Sequence, residues 1–181
     1  MHERRFNREI ERLRDPERVA RLEVQHVVDL TLENLAGVKT VLDIGTGSGL
    51  FAENFSARGL AVTGIDANPE MLPAARHHAH SGAFQEAVAE ELPFEDGSFD
   101  LVFMGLLLHE TDDAQTALSE AHRVASKRVA ILEWPDEEQS FGPPREHRLS
   151  HEKITMLAKQ AGFKEVKCVR LESLALYRID C

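Results

Sequence analysis

The sequence predicts an α/β protein: a doubly wound, mostly parallel sheet with helices on both faces and an antiparallel hairpin at its carboxyl end. Three observations carry this prediction. From residue 40 onward, strand-length apolar runs alternate with helix-length segments. The run Val41 to Gly49, VLDIGTGSG, is a buried strand that passes straight into a glycine-paved turn. The chain ends on two alternating segments, 164–171 and 174–180, joined through Glu172-Ser173. Alternating strands and helices build parallel sheets, because each crossover helix must return over a face of the sheet. Two strands joined by a short turn pair antiparallel instead.

Taken in order, the chain before Val41 reads as helical, with Asp15-Pro16-Glu17 as a start signal and Val19, Leu22, Val27, Leu30 and Leu35 as its apolar positions. Residues 1–38 are assigned to a helical lid and residues 39–181 to the core of one domain. The first strand is Thr40 to Ile44, and a helix from Ser48 to Arg58 follows its turn. Leu60 to Ile65 is the second strand. The next helix, Asn68 to His80, takes Asn68 as its N-cap and Pro69 in its first turn. Strands near 83–88, 99–104 and 128–133 extend the sheet, with helices over 112–125 and 150–161. With the terminal hairpin, seven strands result. Ala125-Ser126-Lys127 reads as an abbreviated turn before the fifth strand, and Cys168 as a small buried residue of the sixth.

Composition restricts the class. A chain of 181 residues fits one domain, for which about 100–200 is usual, and 43% hydrophobic with 29% charged residues fits a globular protein better than a disordered one. The longest apolar run, Leu101 to Leu108, is far short of the ~20 residues a membrane-spanning helix needs. The charged amino terminus has no apolar signal-peptide core, so a cytoplasmic location is expected. The formal charge of −10 argues against a nucleic-acid partner, which would need a basic face to offset phosphate repulsion. The one arginine-rich segment, Arg4 to Arg21, is interleaved with acids at helical spacing and reads as a solvated, ion-paired helix. Two cysteines make neither a disulfide framework nor a metal motif, and His77, His78 and His80 point in different directions around a helix; no metal is expected.

The glycine turn is the most informative segment. Gly45, Gly47 and Gly49 let the backbone turn tightly and approach a nucleotide-like ligand with no side chains in the way. The dinucleotide fingerprint GxGxxG would place its third glycine at Leu50, and Asp43, two residues before the first glycine, would repel a pyrophosphate. Asp43 favours a ligand with a positive group. Asp66, 66 − 45 = 21 positions after Gly45, ends the second strand at the spacing of one βαβ unit, where a carboxylate can accept both ribose hydroxyls.

These segments, together with AEELPFEDGSFDLVFMGLLLHE from Ala89 to Glu110, resemble the class I (Rossmann-like) S-adenosylmethionine-dependent methyltransferases, in particular their small quinone-type, type 11 group. The resemblance covers about residues 40–181. It implies the sheet order of that family and S-adenosylmethionine as cofactor, whose sulfonium and amino group suit Asp43. It assigns Asp43, Gly45, Thr46, Gly47, Gly49, Asp66, Ala67, Met71, Ala89, Glu90 and Met104 to the cofactor pocket, with Leu92-Pro93-Phe94 closing its adenine end. Where relatives carry an aspartate for the adenine amine, this chain has Val88, so Glu90 or water is expected in that role. Phe6 or an early arginine is expected against the methionine half.

The acceptor side is less determined. The Asn/Asp-Pro-Pro-aromatic signature of methylases of nucleic-acid amino groups and of glutamine amides is absent, and MGLLLHE in its place points to a small-molecule acceptor. His109 is the expected base for an acidic acceptor, with Glu110 and Glu133 as second choices. The loop PDEEQSFGPPREHRLS is expected toward the acceptor, since a loop of that length is commonly functional, and Trp134 is expected either to line an apolar acceptor pocket or simply to pack. The competing readings are a nicotinamide oxidoreductase, a nucleic-acid or protein methyltransferase, and a binding protein of the same fold that has lost transfer. Oligomeric state stays open.

Overall fold

The computed structural model describes residues 10–181, so Phe6 and the arginines before residue 10 lie outside the described residues. Seven strands form one sheet in the order β3-β2-β1-β4-β5-β7-β6. They are β1 (Thr40–Ile44), β2 (Ala61–Asp66), β3 (Ala83–Glu86), β4 (Phe99–Gly105), β5 (Ala125–Glu133), β6 (Lys167–Arg170) and β7 (Ala175–Asp180). The first five run parallel; β7 enters antiparallel between β5 and β6. The reversal of order between β1 and β4 is the switch point at which doubly wound sheets open a crevice.

The helices are α1 (Ile10–Leu13), α2 (Pro16–Arg21), α3 (Val24–Leu32), α4 (Leu50–Ser56), α5 (Leu72–His78), α6 (Ala114–Val124) and α7 (His151–Gln160). The predicted start signals form. Asp15 accepts the N–H groups of Glu17 and Arg18, and Asn68 accepts that of Glu70; a further cap, not among the predicted signals, is Ser150, which accepts the N–H of Lys153. Such caps stabilise by about 1 kcal/mol each.

Two apolar layers sandwich the sheet. Leu42, Ile44, Val102 and Ile131 face α6 and α7, while Val41, Phe103, Ala130 and Leu132 face α3, α4 and α5. Burying one such Val, Leu, Ile or Phe side chain stabilises by about 1.5–3 kcal/mol, which fixes strand register. Arg128, itself buried, ties the layers at the far end: it donates to the carbonyls of Thr31 and Glu33 and pairs with Asp180 at 2.6 Å.

Three expectations need correction. There is no separate turn over 125–127, because β5 begins at Ala125, directly after α6, and pairs there with Phe99. Strand β3 stops at Glu86, two residues early, where the chain turns toward the cleft. Cys168 is exposed rather than buried, because β6 is the edge strand and only its β7 side is covered. Among the described residues, no helix is long and apolar enough to cross a membrane.

Candidate active site

A cleft of about 1040 Å³ opens at the carboxyl ends of the parallel strands. Its floor is the turn after β1. Gly45, Gly47 and Gly49 all have positive φ, 69°, 52° and 77°, the left-handed region that L side chains avoid. A Cβ at Gly45 would stand 2.8 Å from Leu107 Cδ1, and one at Gly49 would stand 2.9 Å from the Ala75 Cα. The first glycine keeps the cleft open beneath Leu107; the last lets α4 start against α5.

Asp43 does not line the cleft but sits under it, 2% exposed, accepting the Thr46 hydroxyl at 2.7 Å. Burial drives its pKa up to about 7, against the Thr46 hydrogen bond and with help from the charge of Asp66. A cation above it would return it to the ionised form. Asp66 joins the two halves of the floor: its carboxylate accepts the Gly47 N–H at 2.8 Å and the Asn68 N–H at 2.9 Å. Gly45, Thr46, Gly47, Asp66, Ala67, Met71, Ala89 and Glu90 all line the cleft. Gly49 lies beneath it.

Met104 does not reach the cleft: it is fully buried in the apolar layer under α6. Leu92 and Phe94 are likewise drawn inward. Arg123 of α6 donates to both their carbonyls, Leu92 is buried, and Phe94 packs edge-on against Phe99 with ring centroids 5.0 Å apart. Glu90 lines the cleft but its carboxylate is engaged, accepting the N–H of Asp112 at 2.8 Å and of Asp113 at 3.3 Å just before α6. Val88 lines the same end and offers no polar group.

The opposite end is built from remote residues. Strand β4 ends at Gly105, and Leu106 takes φ +58°, a costly conformation for a branched residue, held by its N–H to the Leu132 carbonyl at 2.8 Å. That turn sets Leu107 over the glycine loop and delivers His109 to the buried end of β5. There Glu133, 1% exposed, accepts the backbone N–H of His109 at 3.1 Å, its ring Nδ1 at 2.8 Å and the Trp134 N–H at 3.2 Å. Burial opposes a charged ring, but Glu133 at 2.8 Å and Glu110 at 3.6 Å outweigh it and push the His109 pKa up to about 10. That direction favours the charged ring, a donor, over the neutral ring that the expected base role needs.

Trp134 and Phe141, ring centroids 5.9 Å apart, wall this end together with Arg21 of α2, whose guanidinium lies 4.2 Å over the Phe141 ring. The loop after β5 is clasped by one buried side chain. Arg148 donates to the carbonyls of Pro135, Glu137, Phe141 and Pro143 and to the Gln139 side chain. Just after α1, Arg14 bonds to the Ser48 carbonyl of the glycine loop and to Glu53 of α4. None of Arg148, Leu106 or Arg14 carries a local sequence signal; each acts through partners 5 to 39 positions away.

A doubly wound sheet in this order, with an acid-supported glycine loop at its switch point joined to a carboxylate ending the next strand, defines a class I S-adenosylmethionine-dependent methyltransferase. The profile of the methyltransferase-domain family, type 11, matches residues 42–132, just over half of the chain, and the chain belongs to that family. Its cofactor is S-adenosylmethionine. The chain is 38% identical over 119 residues to a demethylmenaquinone methyltransferase from Thermus thermophilus, covering 61% of this chain and 53% of that enzyme. It is 40% identical over 92 residues to a malonyl-[acyl-carrier protein] O-methyltransferase from Erwinia billingiae, covering 51% and 37%. A S-adenosylmethionine-dependent methyltransferase from Aquifex aeolicus superposes with a TM-score of 0.83 at 26% identity, over 94% of this chain and 96% of that one. The chain spans about half the length of the curated relatives it matches.

The residues present fit that cofactor. The backbone cradle at Gly45 and Gly47 would be filled by side chains, a buried carboxylate waits under it for a positive charge, and a second carboxylate stands at ribose spacing. Among the described residues, no group of three or more His, Cys, Asp or Glu side chains comes together to hold a metal.

Proposed function

We propose that the protein transfers a methyl group from S-adenosylmethionine to a small organic acceptor by in-line displacement. The observation that carries this reading is the 2.8 Å bond between the Gly47 N–H and Asp66, which joins the glycine loop to the tip of β2 on the floor of a cleft of about 1040 Å³. When bound, the cofactor supplies an activated methyl on a sulfonium. Asp43 offsets the positive charge from below, the backbone of Gly45 and Gly47 carries the methionine half, and Asp66 accepts ribose hydroxyls. Ala67, Met71, Val88 and Ala89 flank the adenine, which rests on apolar contact because Val88 offers no acceptor and Glu90 is tied to the residues ahead of α6.

The acceptor enters between Trp134, Phe141 and the end of β4. Holding it in line with the methyl group is the main task, since orientation alone can supply about 7–11 kcal/mol. Residues 10–35 act as the lid, with Arg14 latched to the glycine loop. The Thermus thermophilus enzyme cited above is named for a quinone, which supports a small organic acceptor over a nucleic acid. Calorimetric titration with S-adenosylmethionine, and separately with a reduced nicotinamide cofactor, tests the first half of the reading: heat is expected only with the former, and its absence refutes the proposal. Tritium from methyl-labelled cofactor is then expected in the small-molecule fraction of a cell extract; label confined to protein or nucleic acid would overturn the acceptor class.

A further inference from the structure

The adenine end of the cleft presents hydrocarbon at the position where relatives carry an aspartate for the adenine amine. Val88 stands there, half-buried, and lines the cleft together with Ala67, Met71 and Ala89. The backbone of this turn is already bonded within the protein. Leaving β3, the Ala87 N–H donates to the Asp66 carbonyl at 3.2 Å, and the Val88 carbonyl accepts the Glu91 N–H at 3.3 Å across an antiparallel bridge. Two carboxylates line the cleft nearby, Glu90 and Asp112. Glu90 turns its Oε1 to the N–H groups of Asp112 and Asp113, at 2.8 and 3.3 Å, and so holds the chain ahead of α6. Asp112 is exposed, where water competes for its oxygens.

A pocket that hydrogen-bonds a ligand group rejects the analogue lacking that group, because the pocket's own polar partner is then left unpaired. A pocket that meets the group with hydrocarbon has no partner to lose. An amine set against the Val88 side chain gains no hydrogen bond from it, and any part of the amine that is covered loses water as well.

We propose that Val88 makes the cofactor pocket indifferent to the 6-amino group of the purine, so that the protein binds cofactors with that amine and cofactors without it alike. The inference rests on the S-adenosylmethionine reading for the rest of the ligand. Selection then falls to the ribose and methionine halves, through Asp66 and the backbone of the glycine loop.

The test is calorimetric titration of the full chain with S-adenosylhomocysteine, the product form of the cofactor, and with its analogue carrying hydrogen in place of the 6-amino group. The two are expected to bind within about threefold of each other, since no hydrogen bond to the protein is lost. A preference of about tenfold or more for the amine-bearing ligand, the worth of one hydrogen bond to a charged acceptor, would overturn the proposal and place Glu90 or Asp112 on the amine. Val88→Asp restores the acceptor, and is expected to open a preference of about tenfold for S-adenosylhomocysteine over the analogue. A folded variant that binds both and still does not discriminate would show that position 88 lies away from the amine, and would also overturn the proposal. Should Val88→Asp fail to fold, the comparison of the two ligands on the wild-type chain decides alone. Absence of heat with both ligands on the wild-type chain removes the methyl-transfer reading itself, whereas discrimination between them removes only the indifference to the amine.

Discussion

The two ends of the cleft differ in how far along the chain their parts are spread. The cofactor end is almost contiguous: one strand, one turn, and a carboxylate 21 positions after Gly45. Its main devices are backbone devices, three positive-φ glycines and two N–H groups bonded to Asp66. The acceptor end draws on α2, the turn after β4, the end of β5 and a loop folded around Arg148. Its devices are buried side-chain pairs. A backbone site of this kind is specified by local sequence and varies little; a site made of remote side chains can change its ligand without disturbing the fold.

The sharpest test of this contrast removes one partner of the buried pair. Glu133→Gln should destabilise the protein by about 3–5 kcal/mol, since breaking a buried pair leaves a charge uncompensated. The two ends also differ in pH window. His109 rises from 6.5 to about 10 on folding, so its stabilisation is complete below 6.5 and is lost as pH climbs through 10. Asp43 rises from 3.8 to about 7, so the folded state binds the extra proton and stability falls as pH rises from 3.8 through 7. Denaturant unfolding across pH should therefore show two descending limbs, the upper one missing in Glu133→Gln and the lower one missing in Asp43→Asn. A Glu133→Gln profile that keeps its upper limb would mean that the ion pair does not hold the ring.

At the cofactor end, Gly49→Ala is expected to cost about 2–4 kcal/mol, combining a left-handed penalty with overpacking, because its new Cβ meets the Ala75 backbone at 2.9 Å. Thermal unfolding measures it. Gly59→Ala provides the control: its φ is also positive, 81°, but nothing lies within 4 Å of the added carbon, so only the conformational part should appear. Equal losses at the two sites would mean that the contact between α4 and α5 is loose.

What could be read from the sequence follows the same division. The order of helices and strands, the caps at Asp15 and Asn68, and the glycine floor are local patterns, and they formed with end shifts of a few residues. Met104 was misplaced because a strand alternates its faces, and sequence alone does not say which face meets α6 and which lies nearer the cleft. The segment 92–94 was placed at the adenine end because nothing in its own residues reveals Arg123, 29 and 31 positions away from the carbonyls it binds. The setting of His109 was illegible for a different reason: its ionisation is biased by Glu133, 24 positions on, and by burial, neither of which a spacing can report.

Asp66→Ala separates cofactor affinity from fold. Losing a hydrogen bond to a charged acceptor is worth about 1.5–3 kcal/mol, roughly a ten- to hundredfold weaker cofactor in calorimetry. The fold should hold, since Asp66 sits at the cleft end of its strand, outside both apolar layers. Unchanged affinity would show that the ribose is held elsewhere.

The smallest effect belongs to the contact that closes the acceptor end. Arg21 lies over the Phe141 ring at 4.2 Å, and such cation–π contacts near the surface contribute about 0.5–1 kcal/mol. Arg21→Ala should scarcely move global stability, because Arg148 still clasps the loop through four carbonyls and Gln139. Instead, amide exchange at Phe141 and Gly142 should quicken while exchange in the glycine loop stays as it was. Affinity for S-adenosylmethionine should also hold. A loss of cofactor affinity comparable to that of Asp66→Ala would mean that α2 transmits the contact through α1 and Arg14 to the Ser48 carbonyl, making the lid a coupling between the two ends.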